Sequence, residues 1–169
     1  IGDTDVLVRV RAASINFGNL ALVEGKPFVA RFWSGLLKPK DQIPGGDFAG
    51  LVESIGKDVQ KISPGDAVFG DLSHCGFGTF AEYVAAPEDA LALKPGDISF
   101  KEAAAAPQSA LVALQALRKK EETLADRNVL IYGASGGNGT YAVQMANVMG
   151  AEVTGVCSTG KVDMVRALG

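Results

Sequence analysis

A chain of 169 residues, 47% hydrophobic and 21% charged, has the make-up of an ordinary globular protein with room for one sizeable core. Its net charge of −3, with no basic block, argues against nucleic acid, whose phosphates demand clustered lysine and arginine. No apolar run approaches the roughly 20 residues of a membrane span, and the opening IGDTDVLVRV lacks the basic and apolar regions of a secretory signal.

Taken in chain order, residues 5–12 alternate strictly, with Val6, Val8 and Val10 on one face, and predict a strand. Residues 24–46 read as a long connection whose Phe28, Phe32 and Trp33 cover a neighbouring surface. A second strand is expected at 47–56. Pro64, Gly65 and Asp66 form a turn before a third strand within 63–70. A further strand falls at 79–86, with Phe80, Tyr83 and Val84 apolar. Short strands at this spacing suggest a small barrel or sandwich.

The period changes at residue 100. Residues 100–120 are rich in Ala and Leu, and Pro107 splits them into a short and a longer helix, standing in the first turn of the second. Residues 128–132, NVLIY, form an apolar strand of the kind buried in parallel sheets. A helix at 140–150 stops at Gly150, a strand follows at 151–157, and a helix begins at 161–169. Strand, loop, helix, strand, helix is the opening of a doubly wound sheet. The fold class is therefore α/β with a β-rich part, divided into 1–99 and 100–169. Two parallel strands are too few for such a sheet, so the chain reads as truncated, and it also begins directly before a strand. Cys75 and Cys157 stand in unrelated contexts, which argues for free thiols in a reducing, cytoplasmic setting. A zinc site would have to draw on the single histidine, His74, at spacings that match no motif.

Residues 133–139, GASGGNG, carry the chemistry. Asn138-Gly139 is a hairpin signal, yet the residues after it do not alternate. The loop lies instead between an apolar strand and a helix, where a dinucleotide fingerprint belongs. In register, Ala134, Ser135, Gly136, Gly137, Asn138 and Gly139 read A-x-G-x-x-G. Gly136 lets the backbone approach a pyrophosphate, Gly139 allows close helix–strand packing, and the helix start presents unpaired N–H groups to the phosphates. Ala134 in place of glycine widens the turn slightly. An NAD site places an acid at the end of the second strand. Here Ser158, Thr159 and Lys161 stand there, and the nearest acid is Asp163. A hydroxyl and a lysine suit a 2′-phosphate, which favours NADPH. Ser158 as a plain cap for the helix that follows remains open beside this.

GDFAGLVESIGKDV, then SPGDAVFG, the Ala-rich helices and GASGGNGTYAVQMA together resemble the medium-chain dehydrogenase/reductase superfamily, in its zinc-free, zeta-crystallin-like quinone oxidoreductase branch. The likeness runs in order along essentially the whole chain. It implies a GroES-like catalytic domain over 1–99 and the N-terminal part of a Rossmann domain over 100–169, with the active site in the cleft between them. Where the zinc-containing branch places its ligands, this chain has Asn16, then Gly46-Asp47, then Gln108, so no catalytic metal is expected. His74 and Cys75 are read as neighbours by chance or packing.

The resemblance implies hydride transfer from NADPH to a quinone or an activated alkene or carbonyl. Asn16 matches the position where the family turns an amide toward the nicotinamide and the substrate. A structural turn asparagine is the alternative. Asp47 is read as an ordinary turn-edge acid, with a residual polar contact in the cleft as the alternative. Departures from the family pattern are Val112 where a threonine is frequent near the nicotinamide, Asn138 inside the glycine loop, and Gly160 where an arginine is common, which leaves Lys161 to supply the positive charge. Asn138 stands beside the pyrophosphate or caps the helix. The partner is a small electrophilic acceptor, and a homodimer is possible. A non-catalytic NADPH-binding sensor or structural protein, and an alcohol dehydrogenase-type activity of the same superfamily, remain alternatives.

Overall fold

The computed structural model describes residues 1–26, 28, 31–35, 40, 42–118 and 124–169, with the backbone alone at 33 and 34. They form two compact units, Ile1–Pro107 and Gln108–Gly169.

The first unit is a five-stranded antiparallel sheet. Strands β1 (Asp5–Ala13), β2 (Asp47–Ile55), β3 (Ala67–Asp71), β4 (Tyr83–Pro87) and β5 (Leu91–Leu93) lie in the order β4-β1-β2-β3-β5. The alternation of β1 sends Val6 and Val8 inward, where they meet Phe48, Val52, Val68, Leu72 and Val84. The register of β1 on β2 slips between Leu7 and Val8 and again between Val10 and Ala12. Such irregularities bend a strand and strengthen its twist.

Three expectations are corrected in this unit. The strand foreseen at 79–86 begins only at Tyr83. Residues 79 and 80 are tied elsewhere: Thr79 N donates to Gly45 O at 3.2 Å and Phe80 N to Pro44 O at 3.1 Å, so they serve a turn rather than a ladder. The 24–46 connection holds helix α2 (Arg31–Ser34). Phe28 and Phe32 are exposed and meet each other edge to face, with ring centroids 6.3 Å apart. The Trp33 side chain and positions 27, 29–30, 36–39 and 41 lie outside the described residues. Between β1 and α2, helix α1 (Phe17–Glu24) closes at Gly25, whose φ of 62° is the left-handed C-cap.

The sequence places the change of domain at residue 100, and the compact unit continues to Pro107. Helix α3 (Phe100–Ala105) opens with a capping box between Ser99 and Glu102. Its Ala103 and Ala104 pack on Ala49 of β2, small residues on both sides allowing the helix to lie close on the sheet. Pro107 then opens helix α4 (Pro107–Leu117), where a missing N–H breaks no helical bond.

The second unit pairs β6 (Asn128–Tyr132) and β7 (Glu152–Val156) in parallel, joined by helix α5 (Gly137–Val148). Helix α6 (Val162–Arg166) follows β7 after a short 3-10 turn, Thr159–Lys161. Ile131, Ala134, Val143, Ala146, Ala151 and Val165 form the core. Within these residues β6 is covered on one face. Ile131 points into the core, while Leu130 and Tyr132 are exposed at 70% and 88%. Among the described residues the helices α5 and α6 cover one face of this pair, and the alternation of the strand decides the rest.

Candidate functional site

Each unit carries one group of functional side chains or backbone donors. In the first, antiparallel pairing sets Ala13 at the end of β1 opposite Phe48 of β2, so the residues after Ala13 stand beside Asp47. Ser14 N donates to the Asp47 carbonyl at 3.2 Å. Its hydroxyl donates to Asp47 Oδ2 at 3.3 Å. Asn16 Nδ2 donates to the same carboxylate oxygen at 3.3 Å. Thr79 Oγ1 donates to the Asp47 carbonyl at 3.4 Å.

Asn16 is also the N-cap of α1. Its Oδ1 accepts from Asn19 N at 3.0 Å, and Asn19 Oδ1 accepts from Asn16 N at 3.1 Å. The pair forms a capping box with asparagine in both places. So Asn16 is a structural cap and, through the other end of its amide, a partner of Asp47. Asp47 itself is not the turn-edge acid expected. It is 2% exposed, with Asn19 at 3% and Thr79 fully buried. A carboxylate at that depth requires hydrogen-bond donors, and strand register delivers them.

Gly46 brings no donor atom, and a Cβ there would lie 2.9 Å from Asp71 Oδ1. Asp71 pairs with Asp47 across β2 and β3, and its carboxylate accepts from both the backbone N–H and the hydroxyl of Ser73. His74 and Cys75 are exposed. Among the described residues no three His, Cys, Asp or Glu side chains come together to hold a metal ion.

The glycine loop of the second unit is a backbone structure. Gly133 N and Ala134 N both donate to Val156 O, at 2.9 and 3.0 Å, which ties the end of β6 to the end of β7. Gly133 takes a φ of 79°, and Gly136 N folds back on Gly133 O at 2.9 Å. Gly136 is the N-cap of α5, and Thr140 N makes the first helical bond to it at 2.9 Å. The leading N–H groups of the helix, at 137–139, precede its first helical bond, and Gly137 and Asn138 are exposed while Gly139 is buried. Asn138 is the second residue of the helix, so it does not cap it.

Each glycine has its own reason. A Cβ on Gly139 would stand 2.1 Å from Gly133 O, so the helix can lie this close to the strand only without one. Ala134 is fully buried. Its methyl has room because β7 carries Gly155 opposite, where a Cβ would be 3.1 Å from Ala134 Cβ. Gly155 was not legible as part of the loop, since it is twenty residues away and the strand pairing alone brings it there. Ser109 on α4 was missed for the same reason, and its hydroxyl lies 3.2 Å from where a Gly137 Cβ would be. Val112 on the same helix is 44% exposed.

At the end of β7, Ser158 precedes the 3-10 turn without bonding it through its side chain, and Lys161 N donates to Ser158 O at 2.9 Å. Lys161, not Ser158, occupies the cap position of α6. Ser158, Thr159 and Lys161 are all exposed. A side chain at Gly160 would meet nothing within 4 Å. The leading N–H groups, the bare backbone at Gly136 and the hydroxyl and ammonium groups after Val156 fit a phosphorylated dinucleotide.

Comparison with known proteins agrees with this geometry. The alcohol dehydrogenase GroES-like domain family matches residues 2–96. The trans-enoyl reductase pgmF of Aspergillus terreus is 38% identical over 100% of this chain and 48% of its own length. The quinone oxidoreductase of Coxiella burnetii superposes with a TM-score of 0.85 at 33% identity, covering 99% of this chain and 52% of that one. The Escherichia coli quinone oxidoreductase complexed with NADPH gives 0.82 at 29% identity, covering 99% and 49%. The chain thus spans about half the length of the relatives it matches.

Proposed function

The chain belongs to the medium-chain dehydrogenase/reductase superfamily through its alcohol dehydrogenase GroES-like domain, and on that premise we propose that its protein is an NADPH-dependent reductase of quinones or activated alkenes that works without zinc. The observation that carries this reading is the open glycine turn at the start of α5 joined, through Val156 O, to a strand end that offers Ser158 and Lys161 in place of an acid. A relative named quinone oxidoreductase is seen with NADPH, and others are named trans-enoyl reductase and NADPH-dependent alkenal/one oxidoreductase.

When bound, NADPH supplies a hydride to an electron-poor acceptor. The backbone donors of Gly137, Asn138 and Gly139 would hold the pyrophosphate, with Ala134, Ser135 and the bare Cα of Gly136 shaping the turn. Ser158 and Lys161 hold the 2′-phosphate. Ser109 adds a hydroxyl at the glycine turn, and Val112 offers the nicotinamide an apolar surface in place of a hydrogen bond. Asn16 positions the acceptor and meets the negative charge that develops on its oxygen. Residues 1–99 form the substrate part and 100–169 the nucleotide part of this scheme. The acceptor is small and electrophilic, and the setting is the cytoplasm.

The test is oxidation of NADPH, followed by its absorbance, against a panel of quinones and enones. Turnover with at least one acceptor and a clear preference over NADH is expected. Tight NADPH binding with no turnover on any acceptor would overturn the enzyme reading and leave a binding protein.

A further inference from the structure

The amide of Asn16 has two ends that look alike, and only its partners decide which way it lies. Asn19 N is an N–H and can only donate, so it requires the oxygen of Asn16 at 3.0 Å. Asp47 Oδ2 accepts, so it requires the Asn16 Nδ2 at 3.3 Å. The two demands agree. The capping bond holds the oxygen, and Asp47 holds the nitrogen at the other end of the amide. Asp47 cannot move away, because it is the first residue of β2 and its carbonyl holds Ser14 N and Thr79 Oγ1. Its carboxylate is 2% exposed, and Asn16 is half-buried beside it.

We propose that Asp47 is a positioning residue, whose buried carboxylate locks the Asn16 amide in the one orientation that presents it to the acceptor. This rests on the role given to Asn16 above, and the two can fail separately. The locked amide has its orientation set before the acceptor arrives, so no ordering of that side chain is needed during the reaction. Ser14 shares the carboxylate oxygen and keeps it in place without touching Asn16.

The experiment uses the whole protein with NADPH and an accepted quinone. Asp47→Ala is expected to lower kcat by up to roughly 100-fold, with the KM for NADPH unchanged. Asp47→Asn, which can still turn an oxygen to Asn16, should recover most of the rate. The double variant with Asn16→Ala should be no slower than Asn16→Ala alone. Rate losses that multiply in the double variant, or an Asp47→Asn variant as slow as Asp47→Ala, would overturn the proposal. Should Asp47→Ala not fold, Asp47→Glu, which moves the carboxylate by one methylene, takes its place.

A second readout is independent of turnover. The side-chain ¹⁵N–¹H₂ signals of Asn16, assigned by their loss in Asn16→Ala, should show one proton shifted downfield and slowed in exchange. That shift should vanish with Asp47→Ala or Asp47→Glu. If it persists, Asp47 does not hold the amide. If the shift vanishes as expected while Asn16→Ala turns over normally, the amide is held but the Asn16 role is wrong, and Asp47 is no positioning residue for the reaction.

Discussion

The two candidate sites are built from opposite materials. Around Asp47 the groups are side chains, buried and bonded to one another: Ser14, Asn16 and Asp47 share one carboxylate oxygen. At the glycine turn they are backbone N–H groups, exposed and held in place by the absence of side chains. The first site should therefore fail when an atom is taken away, and the second when an atom is added.

Gly139→Ala is the strongest way to test that contrast. The added methyl would meet Gly133 O at 2.1 Å and Ala134 Cα at 2.8 Å, both parts of the backbone that cannot swing aside. Either the helix or the end of β6 must shift. We expect a loss of about 3 kcal/mol or more in unfolding by urea, together with loss of NADPH binding. Near-normal stability would show that the turn has slack, and the idea of a site defined by missing atoms would fall.

Asp47→Ala comes next and takes atoms away. It takes an acceptor from the half-buried Ser14 hydroxyl and Asn16 amide, a cost of about 2 kcal/mol. The same truncation at an exposed loop position, Ser158→Ala, should cost almost nothing in stability, since its hydroxyl bonds no part of the turn it precedes. Equal losses at both positions, read by urea midpoints, would erase the contrast.

Legibility in the sequence follows the same division. The glycine turn was readable because it is local: an apolar strand, seven residues and an amphipathic helix lie side by side in the chain. The strands at 5–13, 47–55 and 67–71 were readable from alternation and from turn residues, and the helices on either side of Pro107 from composition. What could not be read depends on register. Nothing near Asp47 in sequence says that Ser14, Asn16 and Thr79 will reach it, because it takes the pairing of β1 with β2 and the turn at 79 to bring them together. Gly155 and Ser109 escaped for the same reason. The strand at 128–132 was readable from its apolar run, and it pairs in parallel with the strand at 152–156 as expected.

Lys161→Ala separates binding from folding. Lys161 is exposed and bonds through its backbone to Ser158 O, so the fold should not notice the change. NADPH should bind about tenfold more weakly, the scale of one lost charge-assisted contact, while NADH should be little affected. Titrating both cofactors by fluorescence decides the matter. Equal losses would remove the 2′-phosphate from this strand end.

The smallest effect belongs to neither site but to the helix that packs on the first unit. Glu102 closes the capping box of α3: Ser99 Oγ and Ser99 N donate to its carboxylate at 2.7 and 2.8 Å. The Ser99 hydroxyl, then the Ser99 backbone N–H, and less strongly the charge of Lys94, hold Glu102 below the ordinary glutamate value of 4.5. A group whose folded value is depressed contributes stability that is complete above its unfolded value and is lost as pH falls through the folded one. Its share is therefore in place above 4.5 and declines below it. Glu102→Gln should flatten that part of the urea midpoint against pH and leave the neutral-pH midpoint nearly unchanged, because the group is fully exposed and screened by solvent. If the variant falls away with acid as steeply as the parent, the acid sensitivity lies in other carboxylates.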